Sequence, residues 1–252
     1  MGSSWLSAFR GWALRRDLLA RRLPRRWSRL GMPVAACVGL AVLASPAWAQ
    51  PPAYSGAEIR ARVVDAETQK PLEGVFVVAR WDLSHLMTRG HTILHATEAI
   101  TDANGQFYFP PWGPKPRPTF SRLWGGDPRL LFFKPGYAPL SHANATGPDD
   151  SPVRVSRWHG RTIELKPFRG TPEVWVQLLV LLQIQLDWAE ITPTAPHHVN
   201  DYWKYYPRTV LGILQERRAV PAAIGYQVQD LDGWEVTEEQ IRAAAQRKGA
   251  SP

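Results

Sequence analysis

The sequence predicts a mainly β fold, a sandwich of about seven strands, followed by a helical C-terminal extension. Residues 58–168 hold short β-branched or alternating segments separated by turn signals every 8 to 12 residues, which is typical of an all-β sandwich. After Pro172 the composition changes to a long apolar run with almost no helix breakers. We therefore divide the chain into a leader (1–49), a linker (50–57), the sandwich and a helical extension (171–252).

The first 49 residues have the three parts of a secretory signal peptide. A basic stretch, LPRRWSRL, precedes an apolar run from Val34 to Ala44 and a small-residue end before Gln50. We expect cleavage between Ala49 and Gln50. The alternative is an uncleaved membrane anchor, but the apolar run is shorter than the ~20 residues that a spanning helix needs.

Most of the positive charge lies in this leader. The whole chain has a formal net charge of +8, of which the leader supplies eight arginines and one acid. The remainder is nearly neutral, so removal of the leader would leave no basic stripe to follow the phosphates of a nucleic acid. Cys37, the only cysteine, also lies in the leader, and the exported part is therefore expected to fold without disulfides.

The sandwich begins after the linker QPPAYSG, whose prolines and glycine oppose regular structure. Residues 58–66 alternate apolar and charged side chains, which predicts a strand buried on one face. The run from Val75 to Trp81 is β-branched and aromatic, which predicts a strand buried on both faces. A strand at 91–100 then leads through the turn TDANG to a return strand from Gln106 to Phe109.

A proline-rich segment at 110–128 interrupts this pattern. Proline cannot donate to a strand ladder, so the segment is predicted to be an ordered surface loop. Because exposed loop aromatics can stack on sugars or anchor a protein, Trp112 and Trp124 are the candidate partner-binding residues. Two further strands, Leu130 to Phe133 and Arg161 to Leu165, complete the predicted sandwich.

Three helices are predicted beyond the sandwich. The first is the apolar run EVWVQLLVLLQIQLDWAE, whose glutamines and acids favour a packed helix over a membrane span. The second extends from about Tyr202 to Arg218, and a third follows Thr237, which suits an N-cap. We expect these helices to cover one face or edge of the sandwich.

Three motifs, in order, resemble the carboxypeptidase regulatory-like domain, a transthyretin-like (prealbumin-like) sandwich of about seven strands. They comprise Asp65, Thr68, Pro71, Leu72, Gly74; Thr101, Asp102, Gly105, Phe107; and Pro135, Gly136, Tyr137. The match covers residues 57–168. The resemblance implies an accessory, binding or structural module of envelope or secreted proteins, with sugar or protein partners. The motif residues themselves have mechanical roles at turns and in the core.

No catalytic pattern emerges from the sequence. His91 and His95 lie on a predicted strand, which separates residues four apart by about 13 Å, too far for one metal ion. The exported part has no cysteine nucleophile, Gly-x-Ser-x-Gly elbow or phosphate-binding glycine loop. We expect no catalytic, metal or cofactor-binding residues.

The sequence thus favours a periplasmic or secreted, non-catalytic module that binds an envelope protein or carbohydrate. Nucleic acid is not expected as a partner, and membrane contact is expected only if the leader is uncleaved. The alternatives are a membrane-tethered accessory protein and an envelope enzyme with an unrecognised metal or acid/base site. Such an enzyme would need a pocket that gathers at least two histidines or carboxylates.

Overall fold

The computed structural model describes residues 53–85, 91–123, 126–144, 151–187, 201–220 and 237–249. The strands are β1 (Ala53–Gly56), β2 (Ile59–Asp65), β3 (Phe76–His85), β4 (His91–Ile100), β5 (Gln106–Phe109), β6 (Trp112–Pro116), β7 (Ser121–Leu123), β8 (Arg129–Phe133), β9 (Leu140–His142), β10 (Val153–Arg154) and β11 (Thr162–Leu165). The helices are α1 (Pro172–Asp187), α2 (Pro207–Ala219) and α3 (Glu238–Gly249), with a 3-10 turn at Asp201–Tyr205. All of these elements lie in one compact unit, Trp48–Pro252.

The strands form three sheets. Sheet I has the order β11-β2-β5, sheet II the order β4-β3-β8-β9 with β7 beside β3, and sheet III the order β10-β1-β6. Sheet I is mixed, because β11 runs parallel to β2 and β5 antiparallel to it. The predicted β-sandwich class is confirmed, with more and shorter strands than the seven expected.

Sheets I and II enclose the inner core. The alternation of β2 points Ile59, Ala61 and Val63 inward, where they meet the alternate residues Val77, Ala79 and Trp81 of β3. The other inner-core members include Phe107, Phe109, Leu130, Phe132, Ile163 and Leu165. At about 25 cal/mol per Å², burial of such side chains supplies the main force that holds the two sheets together.

The helices cover the opposite face of sheet II. Val78 of β3, Ala96 of β4 and Leu131 and Phe133 of β8 form a second cluster, the helix-facing core, with apolar residues of the helices. Its helical members are Trp175, Leu179, Leu182, Leu186, Val210, Ile213, Leu214 and Ile241. Strand β3 is therefore buried on both faces, as its β-branched run predicted.

Two ionisable side chains of sheet II meet the ends of helices. Arg80 of β3, only 1% exposed, donates to the carbonyl oxygens of Gln185 and Leu186 in the last turn of α1 and to the carboxylate of Asp82. Glu98 of β4 accepts hydrogen bonds at the first turn of α2. The positive group lies at a helix C-terminus and the negative group at an N-terminus, as the helix dipole requires.

Two sequence predictions about irregular structure are wrong. The predicted linker at 50–57 includes strand β1, which pairs parallel with β10 and antiparallel with β6 because Tyr54 is fully buried in the inner core. The predicted loop at 110–128 contains β6 and β7. Strand β6, which holds Pro114 and Pro116, lies at the edge of sheet III, where a missing proline N–H leaves few ladder bonds unmade. Strand β7 has only three residues and lies beside one end of β3.

The predicted helices are present with adjusted ends. The second begins at Pro207, later than predicted, because the 3-10 turn precedes it. The third begins with two reciprocal capping bonds. The Gln240 N–H donates to the Thr237 hydroxyl oxygen, and the Thr237 N–H donates to the side-chain oxygen of Gln240. None of the described helices combines the length and apolar character needed to cross a membrane.

Candidate functional site: an arginine groove on sheet I

An open groove of about 910 Å³ lies over the outer face of sheet I. We call it the arginine groove, because its lining includes Arg60, Arg62, Arg161 and Arg208 together with Tyr108. Its walls come from β2, β5, the residues before β11, the end of β4 and the first turn of α2.

The local fold explains why the arginines reach solvent. In β2 the residues alternate buried and exposed, so Arg60 and Arg62 point away from the core that Ile59, Ala61 and Val63 enter. In the antiparallel pairing with β5, Arg60 lies opposite Tyr108 and Arg62 opposite Gln106. One period-2 pattern thus builds the core on one face and the groove on the other.

The Arg60 guanidinium stacks on an aromatic ring. Its Cζ lies 4.0 Å from the centroid of Tyr108, which is itself 42% exposed. Stacking restricts the guanidinium plane while leaving its N–H groups open at the edges. An ion pair with Glu58 at 3.5 Å is largely exposed and weak, so a ligand can compete with it for Arg60.

The other arginines are held differently. Arg62 donates through Nε to the carbonyl oxygen of Asn104 at 3.1 Å, which leaves its terminal nitrogens unused. The Arg161 side chain has no hydrogen-bond or ion-pair partner within the part of the chain that the structure describes. Arg208 is more buried and pairs with Glu98 at 3.5 Å. Arg60, Arg62 and Arg161 therefore have guanidinium N–H groups that remain available to a ligand in the groove.

Two carboxylates, Glu98 and Asp102, also line the groove. A pocket with two carboxylates is the feature that the alternative hypothesis, an envelope enzyme, requires. Both are committed to the fold. Glu98 accepts hydrogen bonds from the N–H groups of Arg208 and Thr209 and from the Thr209 hydroxyl. Asp102 Oδ1 accepts from the N–H groups of Asn104 and Gln106 in the turn before β5. Both oxygens of Glu98 thus hold the start of α2, and one oxygen of Asp102 holds the turn.

The candidate Trp112 lies on β6 and is half-buried. Its ring contacts Trp81 with centroids 5.1 Å apart and His95 at 4.7 Å, and a Cβ added to Gly56 would lie 2.1 Å from its indole nitrogen. This packing is a structural role, and a role in partner binding stays a prediction. Trp124 lies outside the described residues, and so does the predicted cleavage site at Ala49 and Gln50.

The aromatic cluster around Trp112 holds a perturbed histidine. His95 Nδ1 lies 3.1 Å from the ammonium of Lys115, which also donates to the Leu94 carbonyl oxygen. Burial, followed by the positive charges of Lys115 and Lys248, lowers the pKa of His95 from 6.5 to about 4. The imidazole is therefore neutral at pH 7 and accepts a hydrogen bond from Lys115.

The residues of the three motifs that resemble the carboxypeptidase regulatory-like domain have structural roles. Asp65 Oδ1 accepts from the N–H groups of Glu67 and Thr68, and its Oδ2 accepts from the Tyr137 hydroxyl at 2.9 Å. Gly105 has φ +72°, and a Cβ there would lie 2.3 Å from the Val63 carbonyl oxygen. These contacts close turns and join β2 to the chain after β8, so the motifs specify fold rather than a ligand.

No metal-binding group is evident in the described part of the chain. His, Cys, Asp and Glu side chains form no cluster of three or more there that could hold a metal ion. His91 and His95 both lie on β4, as the strand prediction required.

Comparisons with known proteins add little. No family model matches the chain, and no curated protein matches it. Solved structures that are similar to part of this chain include three proteins. They are the pilus 2b backbone protein of group B streptococcus (17% identity, TM-score 0.22, 44% of this chain and 41% of that one), the C-terminal domain of a shaft pilin from Lactobacillus rhamnosus GG (14%, 0.21, 45% and 98%) and a 9R-lipoxygenase from Cyanothece (15%, 0.24, 78% and 27%).

The matched region therefore spans less than half of the first of these proteins and about a quarter of the third. At TM-scores this low, none of the three similarities carries an argument about activity or partner.

The arginine groove was not predicted from the sequence. A signal was present, since Arg60 and Arg62 alternate with apolar residues and therefore had to share the outer face of their strand. Arg161 and Arg208, however, lie 99 or more residues further along the chain. Only the pairing of β11 with β2, and the docking of α2 beside β4, bring them to the same surface.

Proposed function

We propose that the chain is an exported, non-catalytic module that binds a protein or carbohydrate partner of the cell envelope through the arginine groove. The leader, cut between Ala49 and Gln50, would place it in the periplasm or outside the cell. The observation that carries the proposal is the convergence of three exposed arginines on one groove in a chain whose exported part is nearly neutral.

The physical chemistry of the groove supports binding rather than reaction. Exposed guanidinium groups offer several N–H donors in a fixed plane, which suits recognition of anions. The two carboxylates nearby are used by backbone N–H groups, and nothing at the site is arranged as a nucleophile beside a base. The catalytic hypothesis has no comparable arrangement of residues at the groove to support it.

The experiment that tests the proposal is affinity capture from the envelope fraction of the source cells. Wild type and the double variant Arg62→Glu/Arg161→Glu would be compared, with mass spectrometry of the captured material and of the chain's own N-terminus. A specific partner lost from the double variant, together with a mature start at Gln50, is the expected result. Equal capture by both chains would contradict a binding role for the groove.

Arg169→Glu is the matched control. Arg169 is a well-exposed arginine that pairs with Glu67 and does not line the groove. If its reversal also removes the partner, binding follows general surface charge and the groove has no special role.

A further inference from the structure

We infer that the arginine groove binds an acidic segment of a partner protein in extended conformation, with carboxylates at alternate positions. This inference rests on the proposed function and names the class of partner. The groove presents positive groups that lack a full set of partners, so the complementary ligand is an anion. Carboxylates match guanidinium groups through paired N–H···O hydrogen bonds.

The spacing of the arginines indicates an extended polypeptide. Arg60 and Arg62 are two residues apart on β2, so their side chains leave the sheet about 7 Å apart. Side chains at alternate positions of any extended peptide repeat at the same distance. A segment with Asp or Glu at every second position therefore places one carboxylate against each arginine.

Neighbouring strand edges favour a protein over a glycan. Strand β5 is an outer strand of sheet I and β4 an outer strand of sheet II, and residues of both line the groove. An outer strand can accept an added extended chain through main-chain hydrogen bonds. The Tyr108 ring, by contrast, is covered on one face by Arg60, which removes that face as a stacking platform for a sugar.

The groove also offers apolar contacts to the bound segment. Ile100 is 36% exposed and Tyr108 42% exposed, and both lie in the lining with Pro110. The aliphatic stems of Glu side chains would lie against this surface while their carboxylates meet the arginines.

The probe is a fluorescein-labelled octapeptide of alternating Glu and Val, titrated by fluorescence anisotropy. The protein is the chain as purified from its envelope fraction, so that any processing of the leader is retained. The matched probe replaces each Glu by Gln. We expect saturable binding of the acidic peptide only, weakened when salt shortens the Debye length from about 10 Å at 0.1 M to about 3 Å at 1 M.

Groove variants locate the binding, which matters because an uncleaved leader would itself carry eight arginines. We expect Arg62→Gln and Arg161→Gln each to weaken peptide binding by about tenfold, the effect of one lost charge-assisted hydrogen bond. Arg169→Gln should leave the affinity unchanged, and circular dichroism should show that all three variants are folded. Equal affinity of wild type and both groove variants would overturn the inference.

Two further outcomes separate this inference from the proposed function. If an oligogalacturonate binds in the groove and the acidic peptide does not, the inferred protein partner is wrong although the groove is a binding site. If the peptide fails while the Arg62→Glu/Arg161→Glu variant still loses its envelope partner, the inference fails and the proposed function stands. If neither peptide nor partner depends on the groove, both fail.

Discussion

At the residue scale, the fold buries ionisable groups and satisfies most of them with backbone atoms. Asp127 is satisfied less completely. It is 1% exposed, its Oδ2 accepts the Asp82 N–H at 2.9 Å, and its Oδ1 has no hydrogen-bond partner among the residues that the structure describes. Burial and the charge of Asp82 raise the pKa of Asp127, although Arg154 and Arg129 oppose the shift. Folding therefore favours the protonated carboxyl of Asp127 over its carboxylate.

We predict that Asp127→Asn stabilises the protein near pH 7. A raised folded pKa means that the stability contributed by Asp127 is complete below its ordinary pKa of 3.8 and is lost as pH rises through the folded value. The uncharged amide escapes this loss and keeps an acceptor for the Asp82 N–H. Urea unfolding at pH 4 and pH 7 should show a gain of about 1–3 kcal/mol that appears mainly at pH 7.

A neutral result at both pH values, or a loss at pH 7, would mean that attraction to Arg154 outweighs the cost of burial. Glu58→Gln serves as the control, because Glu58 forms only an exposed ion pair and its removal should change stability by less than about 1 kcal/mol.

The pH dependence of stability due to His95 should be opposite in sign to that of Asp127, because the His95 contribution to the free energy of unfolding is lost as pH falls. Its folded pKa of about 4 lies below the ordinary 6.5, so the unfolded chain binds more protons between these values. The stability that neutral His95 contributes is present above pH 6.5 and is lost as pH falls towards 4. In His95→Asn, which keeps an acceptor for Lys115, the unfolding free energy should fall less steeply over this range.

Burial also lowers the pKa values of His85 and His142, so the informative quantity is the difference between wild type and variant at each pH. An NMR titration of the imidazoles would check the assignment directly. An His95 midpoint near 6.5 in the folded protein would contradict the prediction.

At the element scale, sheet II supplies the N-terminal cap that α2 lacks. The residue before α2, Tyr206, makes no side-chain capping bond, and Pro207 opens the helix. Glu98 instead reaches from β4 to the N–H groups of Arg208 and Thr209 at 3.0 and 2.9 Å. A carboxylate here satisfies donors that a helix N-terminus leaves unpaired and is favoured by the helix dipole. The position of α2 on sheet II is thus specified by polar contacts as well as by apolar packing.

Glu98→Gln should destabilise the protein by about 1–2 kcal/mol, because the amide loses the charge and one of the two acceptor oxygens. The loss should be greatest at the start of α2. Hydrogen exchange of the amides of residues 208–211 would detect it, together with urea unfolding.

Glu239→Gln is the matched control for this prediction. Glu239 is an exposed acid in the first turn of α3, so its change should cost less than about 0.5 kcal/mol. Equal effects of the two substitutions would show that the buried capping bonds add nothing beyond the dipole.

At the scale of the whole molecule, the helices and the sandwich share sheet II and should unfold together. A close approach is at Gly212 of α2, where an added Cβ would lie 2.8 Å from the ring of Phe76 and 3.4 Å from that of Phe133. Both phenylalanines belong to sheet II and stack on each other with centroids 5.9 Å apart. A side chain at position 212 would therefore push α2 away from the sheet.

We predict that Gly212→Ala destabilises the protein by about 1–3 kcal/mol through overpacking, even though alanine favours a helix by about 1 kcal/mol. Phe76→Leu in the same chain should restore part of the loss. Hydrogen exchange measured by mass spectrometry should show faster exchange in β2 and in α2 alike. Destabilisation confined to α2 would mean that the helical segment unfolds independently of the sandwich.

The sequence predicted the elements whose local pattern is strong. The alternation of β2, the doubly apolar run of β3 and the capping residues of α3 each describe one element's own environment, and each prediction is confirmed. Strands β1, β6 and β7 were missed because they lie in segments rich in proline and glycine, which are unfavourable locally in strands. They exist because Tyr54, Trp112 and Leu123 reach the inner core or pack against it.

The sequence by itself determined that this is a β-sandwich with helices after it, because side-chain periodicity is a local property. Only the tertiary structure decided where the site lies. Arg60, Arg161 and Arg208 are distant in sequence and become neighbours through the pairing of β2 with β11 and the docking of α2 beside β4. Such contacts depend on register and packing between elements, which the residue pattern of a single strand does not specify.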